Sequence, residues 1–248
     1  LSYAVECAIM KVYGSEVIMY VSDQSIQIHG GMGYSADTLV EPAYRDARIS
    51  RIYEGTNEIN RMLIVEMTLK KAIKKELNIF KKIKEIRKRI PLTLLGINKK
   101  MVKSSLSKEK QIVVNIKDLT LLLLGLAAQK FKAKLVKEQE LLLRIADLII
   151  ETYVSESVLL KTEKLIKLNG KENCITQIKM LQNHLCESLN TIKQASQEII
   201  TTCSNGFEKK ILFILLNKLS NSNDFKLKEI RREIALRLKK DGKYGFSI

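Results

Sequence analysis

The sequence predicts an all-α protein made of two successive helical domains. Straight-chain residues such as Leu, Lys and Glu dominate, and only two prolines, Pro42 and Pro91, interrupt the chain. Such residues lose little rotamer freedom in a helix. Apolar residues recur at helical spacing, whereas no segment alternates as a strand would. The 46% apolar fraction is ordinary for a globular protein and excludes a disordered chain.

The first predicted helix reaches about Ile28. It stops where three glycines fall within four residues, at Gly30, Gly31 and Gly33, because glycines allow positive φ and weaken a helix interior. Its apolar residues share one face: Val5, Ala8, Ile9, Val12 and Tyr13.

A second, shorter helix with Pro42 in its first turn is predicted to reach about Ile49. After an irregular bend at residues 51–55, Thr56 is a suitable N-cap for a long helix that we expect to continue to about Arg89. The predicted buried stripe of that helix comprises Ile59, Met62, Leu63 and Met67.

These patterns divide the chain into a first domain at residues 1–90, a basic linker at 91–111 and a second helical domain at 112–248. The linker contains Pro91, Gly96 and several serines. Further helices are expected up to about Gly170 and at 171–202, 208–219 and 225–240, the last with Asp224 as its N-cap. Since Leu1 already lies in a helical pattern without an initiating methionine, we expect the N-terminal part of the first domain to be missing. One buried face in the second domain comprises Leu141, Leu142, Ile145, Leu148 and Ile149.

The formal net charge of +16 leaves two interpretations open. A nucleic-acid or anionic-membrane surface is one, and lysine spread over solvated helix faces is the other. No nucleic-acid motif is present, so the second interpretation is favoured and no nucleic-acid partner is expected. A peripheral membrane contact through the basic linker stays open.

The cysteine and apolar patterns indicate a reduced cytoplasmic protein. The four cysteines form no CxxC pair and the two histidines, His29 and His184, lie at no metal-ligand spacing, so no metal site is expected. The longest apolar run, residues 119–128, is about half of the roughly 20 residues that a membrane span needs. We therefore expect a core helix there.

Three sequence blocks carry a more specific signal. Their letters are QIHGGMGY at residues 27–34, YRDARI at 44–49 and RIYEGTNEI at 51–59. In order and spacing these blocks resemble the C-terminal helical domain of acyl-CoA dehydrogenases, strongly over residues 1–75. The remainder resembles, less specifically, the extra C-terminal helical domain of the very-long-chain branch and its bacterial relatives.

The resemblance implies that Glu54 is the catalytic base of a flavin-dependent α,β-dehydrogenation of fatty acyl-CoA thioesters. A carboxylate held against the weakly acidic α-proton gains basicity when it is desolvated, and Ile52 and Tyr53 precede Glu54 in the chain. The resemblance also implies that Tyr53 and Gly55 border the substrate, and that the Glu54 backbone N–H polarises the thioester carbonyl.

The cofactor that the resemblance implies is FAD. Thr56, Asn57 and Glu58 match positions that contact the flavin at a helix N-terminus, where N–H groups favour electron-rich ligands. Glu58 stands where many relatives have Gln, and a carboxylate cannot donate a hydrogen bond as an amide can.

The glycine segment is expected to serve a second subunit. By the same resemblance, the flavin of a neighbouring subunit is contacted by Gln27, Ile28, His29, Gly30 and Gly31, which implies a homodimer or homotetramer. Electron-transferring flavoprotein would be the electron acceptor, and the inner-membrane periphery an alternative location. A fragment without the family's other domains is expected to be inactive. The alternative to this enzyme is a non-catalytic basic helical module that binds a membrane or another protein.

Overall fold

A computed structural model describes residues 3–96, 106–221 and 225–243, and these residues form helices and turns with no strand. The predicted all-α class is therefore confirmed. In chain order the α-helices are Ala4–His29 (α1), Val40–Ile49 (α2), Asn57–Ile73 (α3), Ile79–Leu94 (α4), Ser107–Phe131 (α5), Gln139–Asn169 (α6), Ile175–Cys203 (α7), Gly206–Leu219 (α8) and Leu227–Asp241 (α9). Short 3₁₀ helices occupy Gly30–Tyr34, Lys132–Lys137 and Glu172–Cys174.

The chain forms two compact units. The first comprises Leu1–Leu77 with Val136–Ala146, and the second Asn78–Leu135 with Asp147–Ile248. The first division therefore falls near residue 77, before the basic stretch that the composition singled out. Part of the predicted linker, residues 97–105, and the predicted N-cap Asp224 lie outside the described residues.

In the first unit, α1 packs against both α2 and α3. Ala8, Ile9 and Val12 of α1 are buried, as the sequence predicts. The rest of α1 is much less covered, since Ile18, Tyr20 and other large apolar side chains are more than half exposed.

Two expectations for the third helix are wrong. First, α3 ends at Ile73 rather than continuing to Arg89, because Lys75 adopts a left-handed φ of 62° and stops the helix without a glycine to mark the place. Second, Ile59 and Leu63 are exposed, and the buried face lies one position further on. The apolar residues of α3 itself lie on several sides of the helix, so their periodicity alone could not identify the face that packs against the core. That face comprises Ile64, Val65, Thr68 and Ala72.

The second unit has a denser apolar core. Helix α7 packs against α5, α8 and α9, and α4 packs against α5 and α8. Leu123 of α5 and Ile192 of α7 are fully buried. Of the predicted α6 face, Leu148 is buried in this unit, whereas Leu141, Leu142 and Ile145, which are also buried, belong to the first unit. Ser107–Lys137 is long and apolar enough to cross a membrane by length and composition alone. Half of the apolar 18-residue stretch within this segment is buried inside the protein, so the segment has the character of the predicted core helix.

A cluster of polar side chains lies between α6 and α7 of the second unit. The Ser188 hydroxyl donates to the Glu151 carboxylate at 2.5 Å, and His184 Nε2 lies 3.3 Å from the hydroxyls of Ser155 and Ser188. Burial raises the pKa of Glu151, an effect that its bond from Ser188 opposes and the charge of Asp147 reinforces. Burial also lowers the pKa of His184. Both groups therefore favour their neutral forms in the folded protein.

Candidate active site at the start of the third helix

The candidate site is built on the bend between α2 and α3, residues 51–56, here called the Glu54 bend. Glu54 has a φ of 54° and Gly55 a φ of 80°, so two consecutive residues adopt left-handed backbone. Such a conformation costs a non-glycine residue about 1–2 kcal/mol. Only Lys75 and Lys132 share it among the described non-glycine residues. Backbone strain at Glu54 is typical of functional positions, where the surrounding structure enforces it.

The carboxylate and the backbone N–H of Glu54 are both accessible. Its side chain is exposed, and Ile52 and Tyr53 beside it are 47% and 53% exposed. Within the described residues, the Glu54 backbone N–H has no hydrogen-bond acceptor. The bend therefore presents a carboxylate and a peptide donor next to an open apolar surface.

Thr56 caps α3 as predicted. Its hydroxyl oxygen accepts from the backbone N–H of Ile59 at 3.2 Å. A hydrogen bond from its own backbone N–H is the main effect that holds the pKa of Glu58 below the usual range, and the Thr56 hydroxyl and the guanidinium of Arg61 lower it further. Glu58 is thus an anionic acceptor at neutral pH, consistent with its inability to donate as an amide would.

Asn57 occupies a different environment from its neighbours. Its side chain is only 1% exposed, and its amide nitrogen donates to Ser15 Oγ at 2.9 Å and to Glu16 Oε1 at 3.0 Å. Its amide oxygen accepts from Lys11 Nζ at 2.8 Å. The flavin contact predicted for Asn57 stays a prediction, but its side chain is engaged with α1.

Glu16 completes this connection. Its carboxylate pairs with Arg51 at 3.0 Å and with Arg61 at 3.6 Å. Lys11, Ser15 and Glu16 were not predicted as site residues from the sequence. The available signal was that Lys11 and Ser15, one helical turn apart, place polar groups beside the buried apolar positions of α1.

The segment from Gln27 to Gly33 forms the end of α1 and a 3₁₀ turn, as the glycines predict. Gln27, Ile28 and His29 are exposed, and Gly30 has a φ of 59°. A Cβ added to Gly30 or Gly31 would meet no atom within 4 Å, whereas one on Gly33 would lie 2.7 Å from the Ile26 carbonyl oxygen. Gly33 is therefore required for the turn itself, and Gly30 and Gly31 leave an open surface that a pyrophosphate could approach closely.

A groove of about 540 Å³ lies between this turn and α2. Its polar wall includes Arg45, which pairs with Glu41 one helical turn away. The lining also includes Ile26, Tyr34, Tyr44, Arg48 and Ile52. Arg45 is therefore engaged in an ion pair within α2.

The fold and site define a class of protein. Residues 3–69 and residues 115–218 match two family models, each described as acyl-CoA dehydrogenase, C-terminal domain. Between them they cover more than half of the chain, including the glycine turn, the Glu54 bend and the second unit's core. The chain belongs to the acyl-CoA dehydrogenase family.

Individual relatives agree with this assignment. A probable acyl-CoA dehydrogenase of Bacillus subtilis is 36% identical over 98% of this chain and 40% of its own length. The human mitochondrial very long-chain specific acyl-CoA dehydrogenase is 48% identical over 25% of the chain and 10% of its own length. The caffeyl-CoA reductase-Etf complex subunit CarC of Acetobacterium woodii is 44% identical over 27% of the chain and 17% of its own length.

A solved structure has the same fold. The acyl-CoA dehydrogenase of Bacillus anthracis, complexed with FAD, matches 96% of this chain and 40% of its own at a TM-score of 0.89 and 36% identity. The chain thus spans about 40% of the length of the B. subtilis and B. anthracis proteins.

Proposed function

We propose that the complete protein containing this chain is an FAD-dependent acyl-CoA dehydrogenase in which Glu54 removes the α-proton of a fatty acyl-CoA. The observation that carries the proposal is the exposed, left-handed Glu54–Gly55 pair immediately before the capped helix α3. Strain of this kind persists only where other contacts enforce it, and here it projects a carboxylate from the bend.

The residues of the bend have complementary tasks. The Glu54 carboxylate accepts the α-proton while the thioester carbonyl gains negative charge. The unoccupied Glu54 N–H is a suitable donor to that oxygen, and such preorganised donors stabilise developing oxyanions. Ile52 and Tyr53 offer an apolar surface to the acyl chain, whose binding would exclude water and increase the basicity of the carboxylate.

FAD fits the exposed surfaces of the first unit. Bound there, FAD would supply the acceptor for the hydride that leaves the β-carbon. Thr56 and the first turn of α3 would contact the flavin, where the helix N-terminus favours electron-rich atoms. The open turn at Gly30 and Gly31, with Gln27, Ile28 and His29 exposed beside it, is suited to the pyrophosphate region of a flavin held by a second subunit.

This proposal extends to the pathway and partners. Fatty acid β-oxidation, an assembly of at least two subunits and electron transfer to an electron-transferring flavoprotein follow from the same assignment. The relationship to a subunit of a reductase-Etf complex supports the last of these. A cytoplasmic location is proposed separately, from the free cysteines. A non-catalytic helical module would require neither the strained Glu54 nor its open N–H.

The first prediction tests the base directly. In the complete protein, Glu54→Gln keeps the side-chain size but removes the proton acceptor. Flavin bleaching in a single turnover with palmitoyl-CoA or butyryl-CoA should slow by about 10²–10⁴-fold.

The matched control is Glu66→Gln, which removes an exposed carboxylate that pairs with Lys70 on α3. It should bleach at the wild-type rate, and both variants should retain FAD and melting temperature. Wild-type bleaching by the Glu54→Gln protein would refute Glu54 as the base.

A further inference from the structure

The carbonyl oxygen of Gly55 accepts two hydrogen bonds from side chains. Lys11 Nζ and Asn60 Nδ2 each lie 2.8 Å from it. A carbonyl oxygen has two lone pairs, so both of its acceptor positions are used. The peptide that follows the left-handed pair is thereby fixed in direction by one donor from α1 and one from α3.

Lys11 is itself held by a partly buried polar connection. The same Nζ donates to the Asn57 amide oxygen at 2.8 Å, and the Asn57 amide nitrogen donates to Ser15 and Glu16. Asn57, at the centre of these contacts, is almost completely buried. Such a connection restricts the bend far more than an exposed lysine could.

We propose that Lys11 is a positioning residue for Glu54, an inference that rests on the proposed function. By holding the Gly55 carbonyl, Lys11 keeps the preceding backbone in its left-handed conformation. That conformation aims both the Glu54 carboxylate and the Glu54 N–H at the substrate. Lys11 touches no reacting atom, and Asn60 assists it as the second donor.

A purely structural role for Lys11 makes different predictions. If Lys11 only attached α1 to α3, its loss would reduce the amount of folded, FAD-loaded protein. The molecules that remained loaded would react normally. Loss of positioning instead slows proton abstraction in every loaded molecule, since misplacing a catalytic group by about 1 Å can cost on the order of 10²-fold in rate.

The experiment compares Lys11→Met with wild type in the complete protein, and all rates are normalised to bound FAD. Methionine keeps an unbranched stem but cannot donate a hydrogen bond. We expect flavin reduction by palmitoyl-CoA or butyryl-CoA to slow by about 10–10²-fold with the Kd for the thioester nearly unchanged. We also expect the kinetic isotope effect of α-deuterated thioester to increase, because proton abstraction becomes more strongly rate-limiting.

Two further variants keep the test decisive. Lys11→Arg, which retains a charged donor, should recover part of the rate. Asn60→Ala removes the other donor to the Gly55 carbonyl and should also slow flavin reduction, by less than Lys11→Met does. If Lys11→Met does not fold, Asn60→Ala provides the test. Lys70→Met, at an exposed ion pair on α3, is the matched lysine control and should behave as wild type.

The outcomes separate this inference from the proposed function. Wild-type rate constants and isotope effects per flavin in both Lys11→Met and Asn60→Ala would overturn the positioning role. If Glu54→Gln is slow in the same assay, the proposed function survives that result. If Glu54→Gln reacts at the wild-type rate, the proposed function itself fails.

Discussion

The two units place their polar residues in opposite ways. In the first unit, a buried amide at Asn57 connects charged groups of α1 to an exposed, strained bend at Glu54. In the second unit, Glu151, His184 and their hydroxyl partners are enclosed between helices, and burial drives both titratable groups towards neutrality. The first arrangement leaves a carboxylate exposed at the surface, whereas the second pairs partly buried polar groups with one another.

The apolar residues show the same contrast. The second unit buries long runs of leucine and isoleucine from α5, α6 and α7, whereas α1 of the first unit leaves several large apolar side chains exposed. We infer that the second unit contributes mainly stability and the first mainly chemistry. Substitutions in the two units should therefore have separable effects.

The largest stability effect is expected in the second unit. Leu123 of α5 is fully buried, and Leu123→Ala removes packed methyl groups and leaves a cavity. The free energy of unfolding should fall by about 2–5 kcal/mol. Urea denaturation of the complete protein measures this. Val114→Ala, at a 45% exposed position of the same helix, should change it by less than about 0.5 kcal/mol. Equal losses in the two variants would contradict the assignment of Leu123 to the core.

A smaller effect distinguishes functional strain from ordinary helix termination. Glu54→Gly and Lys75→Gly each place glycine at a left-handed position, with φ values of 54° and 62°. Each should raise the free energy of unfolding by about 1 kcal/mol or less, because relief of strain is partly offset by the flexibility of glycine in the unfolded chain.

Only one of these two substitutions should affect chemistry. Glu54→Gly should lose flavin reduction, while Lys75→Gly should keep the wild-type rate. Thermal unfolding and single-turnover bleaching of both variants provide the two readouts. Destabilisation by Glu54→Gly would show that the left-handed backbone is not a source of strain there.

The smallest expected effect is the pH response of His184. Its pKa is lowered by burial, with a weaker opposite influence from the charge of Glu187. The neutral form is therefore favoured in the folded state. Its contribution to stability is present above the unfolded pKa of about 6.5 and is lost as the pH falls towards the lowered folded pKa.

His184→Gln retains a polar group near the Nε2 position but does not titrate. Between pH 7.5 and 5.5, wild type should lose more stability than this variant, by a difference on the order of 1 kcal/mol or less. The raised pKa of Glu151 has the opposite effect: it stabilises the folded protein as the pH falls from the folded-state pKa of Glu151 towards its unfolded-state pKa. This gain is common to the wild type and the His184→Gln variant. Identical pH slopes in urea denaturation would contradict a buried, neutral His184.

Local features of the fold were predictable from the sequence, and long-range ones were not. The end of α1 at Gly30, the position of Pro42 in α2 and the cap at Thr56 each depend on a few neighbouring residues. The end of α3 was missed because the residue that stops the helix, Lys75, is not a glycine, although it adopts the left-handed backbone that is more common for glycine. The buried face of α3 was missed because its choice depends on α1.

The candidate site divides in the same way. Glu54, Gly55 and Thr56 are adjacent in the sequence, so a motif could identify them. The contribution of Lys11 depends on a contact across 44 residues with the Gly55 carbonyl, which no local pattern encodes. The strain at Glu54 likewise became visible only in the backbone geometry.

Flavin reduction per bound FAD, measured side by side in Glu54→Gln and Leu123→Ala, separates the roles of the two units. We expect a loss of about 10²–10⁴-fold in Glu54→Gln at normal stability. We expect a normal rate in Leu123→Ala below its lowered melting temperature. A wild-type rate in FAD-loaded Glu54→Gln would show that the strained bend of the first unit does not carry the catalytic base.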